Sequence, residues 1–280
     1  MINKVYPCLW FDNQAQEVAT FYTEVFGAST MLSDNGMVVN MRIFDQKLML
    51  LNGGPMFKIN PSISFFIFLK DADAVNTHWD KLSDGGKIMM KLDTYAWSER
   101  YGWCTDKFGV NWQIMVARDG NEAIVPALMF TKDVAGKAEA AMQFYTTIFP
   151  QSEIGYLSRY TEGQGDTPGY INHGNFILCG QRFIGFDSSY SHGYGFDEGI
   201  SLVISCDDQQ EIDYYWQKLT DGGQESQCGW LKDKFGLSWQ VVPAVLDSLM
   251  LDPLKAPSVV KAFLQMKKFD IQTLIDASES

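Results

Sequence analysis

The ten residues DKFGVNWQIM at 106–115 return almost unchanged as DKFGLSWQVV at 233–242. Two other segments repeat in the same order: FYTEVFGAS at 21–29 matches FYTTIFPQS at 144–152, and WDKLSDGG at 79–86 matches WQKLTDGG at 216–223. The offsets are 127 residues (106 to 233), 123 (21 to 144) and 137 (79 to 216), so the order is kept while loop lengths change. This pattern predicts that one domain is duplicated within the chain.

Each copy alternates strand runs with helical patterns, which predicts the order strand, helix, strands, strand, helix, strands. We place domain 1 at 1–117, a linker at 118–122, domain 2 at 123–246, and a tail with one short helix at 247–280. Asn13 followed by Gln16 resembles a capping box and predicts the start of the first helix. The fold class is therefore α+β.

Composition limits the partners of the chain. The 280 residues carry a formal net charge of −12 with a pI near 4.6, which argues against nucleic acid or an anionic membrane as partner. The five cysteines form no C-x-x-C pair, and we read them as reduced thiols of a cytoplasmic protein. Cys8 lies in an apolar strand, where we expect a buried and inert thiol.

Strand alternation assigns faces within the repeated motif. Trp112 and Gln113 are neighbours, so their side chains must point to opposite faces of one strand. We expect Trp112 and its counterpart Trp239 to lie beneath helices. Gln113 and Gln240 then face the open side of each sheet.

Several motifs together resemble the PhnB-like branch of the vicinal-oxygen-chelate (glyoxalase/bleomycin-resistance/dioxygenase) superfamily. They are CLWFDNQAQEVATFY at 8–22, LNGGPMFKINPSISFF at 51–66, GWCTDKFGVNWQIM at 102–115, GKAEAAMQFYTTIF at 136–149 and CGWLKDKFGLSWQVVP at 228–243. The resemblance implies two tandem glyoxalase-like domains of paired βαβββ modules, with curved mixed sheets and helices outside. It also implies that a tandem chain forms a pseudo-dimer by itself, while pairing with a second copy of the chain stays open.

The resemblance further implies a divalent metal held by His and Glu side chains of the strands. Here Gln113 and Gln240 stand where the family has its glutamate, and Ser64 and Ser201 fall near a second ligand position. The remaining aligned positions are Asn52 and Asp187, and Asp187 is the only carboxylate of the set. Because a stable site generally needs three or four strong ligands, we predict no metal and no cofactor.

Further candidates lie next to these positions. Trp103 and Trp230 follow the repeated glycine of each copy, and the hairpin of the first copy adds Tyr95, Trp97 and Tyr101. These rings suit a flat or anionic organic ligand, or they close the sheet edge and pack between the copies. His192 lies in a Gly/Ser/Tyr-rich segment that we read as a loop, as does His173, and a pocket role for His192 stays open. The predicted ligand-binding residues are Gln113, Asn52, Ser64, Trp103, Gln240, Asp187, Ser201, Trp230 and His192.

The leading prediction is a protein of this superfamily that binds a small organic molecule without a catalytic metal. One alternative is a metal-dependent lyase, isomerase or dioxygenase with a degenerate site around Asp187 and Gln240. Another is a non-catalytic interaction protein whose pockets are closed. The family has also carried the label of a 3-demethylubiquinone methyltransferase, which the sequence does not favour, because no G-x-G-x-x-G turn follows a strand and opens a helix.

Overall fold

Strands and helices alternate along residues 4–279, the part of the chain that this computed structural model describes. Residues 1–3 and 280, which the predicted domain 1 and tail include, lie outside the described residues. The first copy contributes β1 (Val5–Phe11), β2 (Ser29–Asp34), β3 (Val38–Ile43), β4 (Gln46–Asn52), β5 (Ile63–Leu69), β6 (Lys87–Tyr95), β7 (Ser98–Thr105) and β8 (Asn111–Val116). The second contributes β9 (Ala123–Phe130), β10 (Glu153–Arg159), β11 (Ile171–Leu178), β12 (Gln181–Asp187), β13 (Ile200–Cys206), β14 (Gln224–Glu225), β15 (Trp230–Lys232) and β16 (Ser238–Pro243). The helices are α1 (Ala15–Val25), α2 (Ala72–Ser83), α3 (Ala138–Ile148), α4 (Gln209–Thr220), α5 (Val245–Leu251), α6 (Ala256–Phe263) and α7 (Ile271–Ser278).

The strands form two mixed sheets of eight strands, and each sheet takes one module from each sequence copy. Sheet I has the order β14-β15-β16-β13-β1-β4-β3-β2, and sheet II has the order β10-β11-β12-β9-β5-β8-β7-β6. The copies meet where β1 pairs antiparallel with β13 and where β5 pairs antiparallel with β9. The predicted α+β fold class is confirmed. The segments 1–117 and 123–246 are copies in sequence, whereas the sheets are shared between them.

Helices α1–α4 cover one face of the sheets, which we call the outer face, and the opposite face is the inner face. Trp112 of β8 is fully buried on the outer face, with its ring 5.3 Å from Tyr22 and 5.6 Å from Phe26. Trp239 of β16 is buried in the same way, 5.4 Å from Tyr145. The predicted burial of both tryptophans beneath helices is confirmed. Helix α1 belongs to sheet I and β8 to sheet II, but both come from the first sequence copy. Their contact therefore packs the two modules of that copy against each other.

The repeated DKFG turn joins helix and strand within each copy. Asp106 accepts hydrogen bonds from the backbone N–H groups of Phe108 (2.9 Å) and Val110 (3.0 Å) with one carboxylate oxygen. Its other oxygen accepts from Tyr22 Oη and Trp112 Nε1, both at 2.8 Å. The carboxylate therefore fixes the turn, the strand and helix α1 at once.

Asp233 repeats this arrangement in the second copy. It accepts from Tyr145 Oη at 2.7 Å and Trp239 Nε1 at 2.8 Å, and from the backbone N–H groups of Phe235 and Leu237. The hydrogen bonds of the aspartate thus account for the repeated aspartate and tryptophan of the motif. The glutamine takes no part in them.

The tail differs from the predicted single short helix, because α5, α6 and α7 all follow β16. Its backbone carbonyls at Met266 and Lys267 accept hydrogen bonds from the N–H groups of Cys228 (2.8 Å) and Gly229 (2.7 Å). The tail thus provides acceptors for two backbone N–H groups of the second copy's hairpin. The strands of this hairpin, β14 and β15, are much shorter than β6 and β7. No helix within residues 4–279 is long and apolar enough to cross a membrane.

Candidate functional site

On the inner face of sheet II, the predicted residues Gln113 and Ser64 touch each other. Gln113 Nε2 donates to Ser64 Oγ at 2.9 Å, and Tyr101 Oη donates to Gln113 Oε1 at 2.6 Å. Gln113 is only 4% exposed, and burial raises the pKa of the Tyr101 hydroxyl, which keeps it a neutral donor. Phe66 lies directly beside Gln113 in register on the neighbouring strand. This glutamine is therefore enclosed by large side chains.

On the inner face of sheet I, Gln240 and Ser201 form the matching pair. Gln240 Nε2 donates to Ser201 Oγ at 2.9 Å, and Gln240 is 6% exposed. Cys8 pairs with Ser201 in register, and its thiol lies close enough to Gln240 and Ser201 for both to influence its pKa. Burial raises the pKa of the Cys8 thiol to about 12, although these two side chains lower it. The thiol is buried and neutral as expected, but it belongs to this polar cluster.

The two candidate tryptophans lie on the same inner faces. Trp103 is in register with Gln113, and Trp230 is in register with Gln240. Their surroundings differ. Trp103 Nε1 donates to Asn111 Oδ1 at 3.4 Å, whereas Trp230 lies 5.9 Å from the ring of Trp10 at an angle of 69°.

A cavity of about 350 Å³ opens beside Trp230 at one end of the inner face of sheet I. Trp10, Phe57 and Trp230 supply its aromatic walls, and Glu198, Glu225 and Lys232 supply its charged groups. Trp10 and Phe57 were not among the predicted site residues. Strand alternation could have indicated Trp10, because Cys8 and Trp10 are two residues apart in β1 and therefore point to the same face.

Two of the predicted ligand-binding residues, Asn52 and Asp187, lie elsewhere. Asn52 Oδ1 accepts from the backbone N–H of Ala15 at 2.9 Å, at the start of α1. Asp187 accepts from the N–H groups of Ala138 (3.0 Å) and Ile171 (2.9 Å), the first of which begins α3. Burial raises the pKa of Asp187, while these bonds lower it. Both side chains accept from free N–H groups at helix starts on the outer face. Asn52 and Asp187 therefore occupy equivalent positions of the two copies because each caps a helix.

Helix α1 therefore begins differently from the predicted capping box. Asn13 has a φ of +57°, and its side chain donates to Asp12 Oδ1. The residue at the N-cap is Gln14, and its side chain makes no capping hydrogen bond. Asn52, 37 residues away along the chain, takes this role.

The two second-copy histidines also have distinct positions. His192 lies in the segment after β12, where Nε2 is 2.8 Å from Ser188 Oγ and its ring stacks on Tyr194 at 5.1 Å. His173, which we expected in a loop, lies in strand β11, and its ring meets Phe66 at 6.1 Å. Burial lowers the pKa of His173, the hydrogen bond from its Nε2 to Asn175 Oδ1 raises it, and the charge of Arg118 lowers it further.

The aromatic residues of the first hairpin pack on one another. Tyr95 and Trp97 stack at 4.9 Å, and Tyr101 meets Tyr95 edge-on at 5.5 Å. The second of the two readings, in which these rings close the sheet edge, fits this geometry.

The divalent metal implied by the superfamily does not fit these side chains. The inner-face clusters consist of amide, hydroxyl and thiol groups, and the amides and hydroxyls are already hydrogen-bonded to each other. Within residues 4–279, no three His, Cys, Asp or Glu side chains come together in a set that could hold a metal ion. Asp187, the one carboxylate of the predicted set, lies on the outer face of sheet II, whereas Gln240 lies on the inner face of sheet I.

Comparison with known proteins adds the family. The family described as 3-demethylubiquinone-9 3-methyltransferase matches residues 3–115 and, a second time, residues 122–242. A PhnB protein from Bacillus cereus is 40% identical over 42% of this chain and 96% of its own length, with a TM-score of 0.39. Protein PA1353 from Pseudomonas aeruginosa is 22% identical over 39% of this chain and 93% of its own, with a TM-score of 0.35. No curated protein matches the chain.

Solved structures of glyoxalase I extend over most of the chain. Glyoxalase I from Zea mays covers 89% of this chain and 95% of its own, with a TM-score of 0.59 and 13% identity. At this identity the likeness concerns the fold alone. The family match, which occurs twice and spans most of the chain, establishes that the chain belongs to this PhnB-like family, as a tandem member with two copies of the family's domain.

Proposed function

We propose that the chain binds a small organic molecule with a flat apolar part on the inner face of sheet I, without using a metal. The observation that carries this proposal is the cavity of about 350 Å³ walled by Trp10, Phe57 and Trp230. Ligand sites of this kind are concave and largely aromatic, with a few placed polar groups. Here Gln224, Ser226 and Gln227 supply uncharged polar groups among the lining residues. Gln240 is in register with Trp230 on the same face, but Gln240 is buried and does not line the cavity.

The metal-dependent alternative loses its support in this arrangement. It required Asp187 and Gln240 to point at one ion, but Asp187 lies on the outer face of sheet II and Gln240 on the inner face of sheet I. A Gln240→Glu variant would place one carboxylate beside a hydroxyl and a thiol, so we expect no more than weak binding of zinc, nickel or manganese. Elemental analysis of the wild type and calorimetric titration of both forms test this, and full occupancy by one metal in the wild type would restore the enzyme reading.

The third reading, an interaction protein with closed pockets, applies at most to sheet II. There Phe66 and Tyr101 are buried against Gln113. Methyl transfer, the reaction named in the family's description, gains no support from the residues of either inner face, which supply no nucleoside-binding turn.

Binding is tested with a matched pair of variants, Trp230→Ala and Trp103→Ala, which change equivalent positions of the two sheets. The probe is 1-naphthol, a flat neutral molecule small enough for the cavity, followed by tryptophan fluorescence and calorimetry. We expect saturable binding to the wild type and to Trp103→Ala, and its loss in Trp230→Ala. Equal loss in both variants, or no saturable binding of 1-naphthol or of a panel of other flat neutral aromatics, would overturn the proposal.

A further inference from the structure

Trp10 is held rigidly at the cavity. Its Nε1 donates to the carbonyl oxygen of Gly54 at 2.7 Å. Its ring also lies against the backbone of Gly53, so closely that a Cβ at that position would stand 2.2 Å from ring atoms. Residue 53 must therefore be glycine for the ring to occupy this position. The indole is a preorganised wall, which reduces the entropy that a ligand must spend to order it.

Two more rings stand at steep angles to Trp10. Phe57 is 5.0 Å away at 89°, and Trp230 is 5.9 Å away at 69°. We call these three side chains the aromatic corner. Rings that meet at right angles present more than one π face to a single point in the cavity, and a cation there is attracted to each face.

The charges that line the cavity leave one acid on the side of the aromatic corner. Glu198 and Glu225 line the cavity, and Lys232 is its only cationic group among the described residues. Glu225 is engaged on the outer side, because its Oε1 accepts from Trp216 Nε1 of α4 at 3.0 Å and its Oε2 lies 3.5 Å from Lys267 Nζ. Glu198 Oε1 is 3.0 Å from Lys232 Nζ, so the balance of this pair sets the charge beside the corner.

The fold does not require this arrangement. Register places Met129 of sheet II where sheet I has Trp10, because Cys8 faces Ser201 just as Ala127 faces Ser64. Met129 is buried and aliphatic. The aromatic corner is therefore present in only one of the two related sheets. Residues that the fold itself requires would recur in both, so this difference favours a role in recognition.

Building on the proposed function, we infer that the ligand carries a methylated, quaternary ammonium group that seats in the aromatic corner. Such a group is bulky, apolar on its surface and permanently charged, and it makes no hydrogen bond. Aromatic walls with an adjacent carboxylate match each of these properties. A primary ammonium is more strongly hydrated and suits the corner less.

The test compares choline with its neutral isostere 3,3-dimethylbutan-1-ol on the full chain by calorimetry and NMR. We expect choline to bind about tenfold more tightly, the ratio that a partly desolvated cation–π site supplies. Phe57→Leu and Trp230→Leu should remove this preference, whereas Trp97→Phe, at an exposed ring of sheet II, should keep it. Because Phe57 is only half-buried, we expect Phe57→Leu to fold. This variant therefore still tests the preference for choline if Trp230→Leu does not fold.

The sign of the charge is tested separately. Lys232→Gln leaves Glu198 without its partner and should tighten choline binding several-fold, while Glu198→Gln leaves Lys232 unpaired and should weaken it by a similar factor. Equal binding of the isostere would overturn the inference, as would weaker choline binding to Lys232→Gln. Failure of choline while 1-naphthol still binds would reject the ammonium inference alone, and failure of both probes would reject the proposed function too.

Discussion

The inner faces of the two sheets carry the same glutamine–serine pair but enclose it differently. In sheet II, Phe66 lies beside Gln113 and Tyr101 donates to it. In sheet I, Val203 takes the place of Phe66 beside Gln240. Cys228 stands at the sequence position of Tyr101, but its thiol donates to the Phe263 carbonyl of the tail at 3.7 Å. Neither large ring of sheet II therefore has a counterpart beside Gln240. The cavity beside Trp230 lies in this half, where the residues are smaller.

The hairpins differ in parallel with this difference in ring size. Strands β6 and β7 pair over a long stretch, from Lys87–Thr105 to Tyr95–Ser98, and present the stacked rings that close sheet II. Strands β14 and β15 pair at only two positions, and the tail supplies the missing backbone acceptors. A shorter hairpin removes the ring-bearing segment from the edge of sheet I. The tail then preserves stability without refilling the space.

The largest effect should be equal in the two halves. Asp106→Asn and Asp233→Asn each replace a buried carboxylate oxygen with an NH₂ group that faces existing donors, so we expect each to cost about 3 kcal/mol of unfolding free energy. Urea denaturation measures it, with the exposed Asp119→Asn as control. A loss in only one half would show that the two turns are not equivalent.

A smaller effect should appear only in sheet II. Tyr101→Phe leaves the buried Gln113 Oε1 without its donor, and we expect a cost of about 1–2 kcal/mol. Tyr95→Phe is the matched control, because its hydroxyl donates to the Lys91 carbonyl at the exposed edge, and it should change stability by less than about 0.5 kcal/mol. Equal effects of both variants would mean that the tyrosine acts through its ring and not through the amide.

A third pair of variants distinguishes the halves at one further position. Asn111 Oδ1 accepts from Trp103 Nε1 and from Thr105 Oγ1 at 3.2 Å. Its counterpart Ser238 is fully buried, and its hydroxyl has no hydrogen-bond partner among the described residues. Asn111→Ala should therefore destabilise by about 1–2 kcal/mol, whereas Ser238→Ala should be neutral or slightly stabilising. Thermal unfolding measured on both variants checks the difference, and a large loss in Ser238→Ala would reveal a partner for this hydroxyl.

The sequence predicted the elements of this molecule better than it predicted the site. Repeats and alternation gave the α+β class, the duplication and the opposite faces of Trp112 and Gln113, because these depend on local periodicity. The sharing of sheets between copies depends on which strand edges meet, which periodicity does not encode. Asn52 was misassigned for a related reason: an amide aligned with Asp187 is equally compatible with ligand binding and with capping a helix that begins 37 residues earlier.

The smallest effect concerns the pH dependence of stability, to which His173 contributes on the inner face of sheet II. Burial against Phe66 and the charge of Arg118 hold the pKa of His173 below its ordinary value of 6.5. A histidine whose pKa is lowered by folding stabilises the fold fully above the unfolded pKa, and this contribution is lost as the pH falls through the folded pKa. Between pH 7 and pH 5 we expect the wild type to lose on the order of 1 kcal/mol or less relative to His173→Gln, in urea titrations at each pH. NMR titration of the imidazole gives the pKa directly, and a value at or above 6.5 would contradict the burial of this ring on the inner face of sheet II.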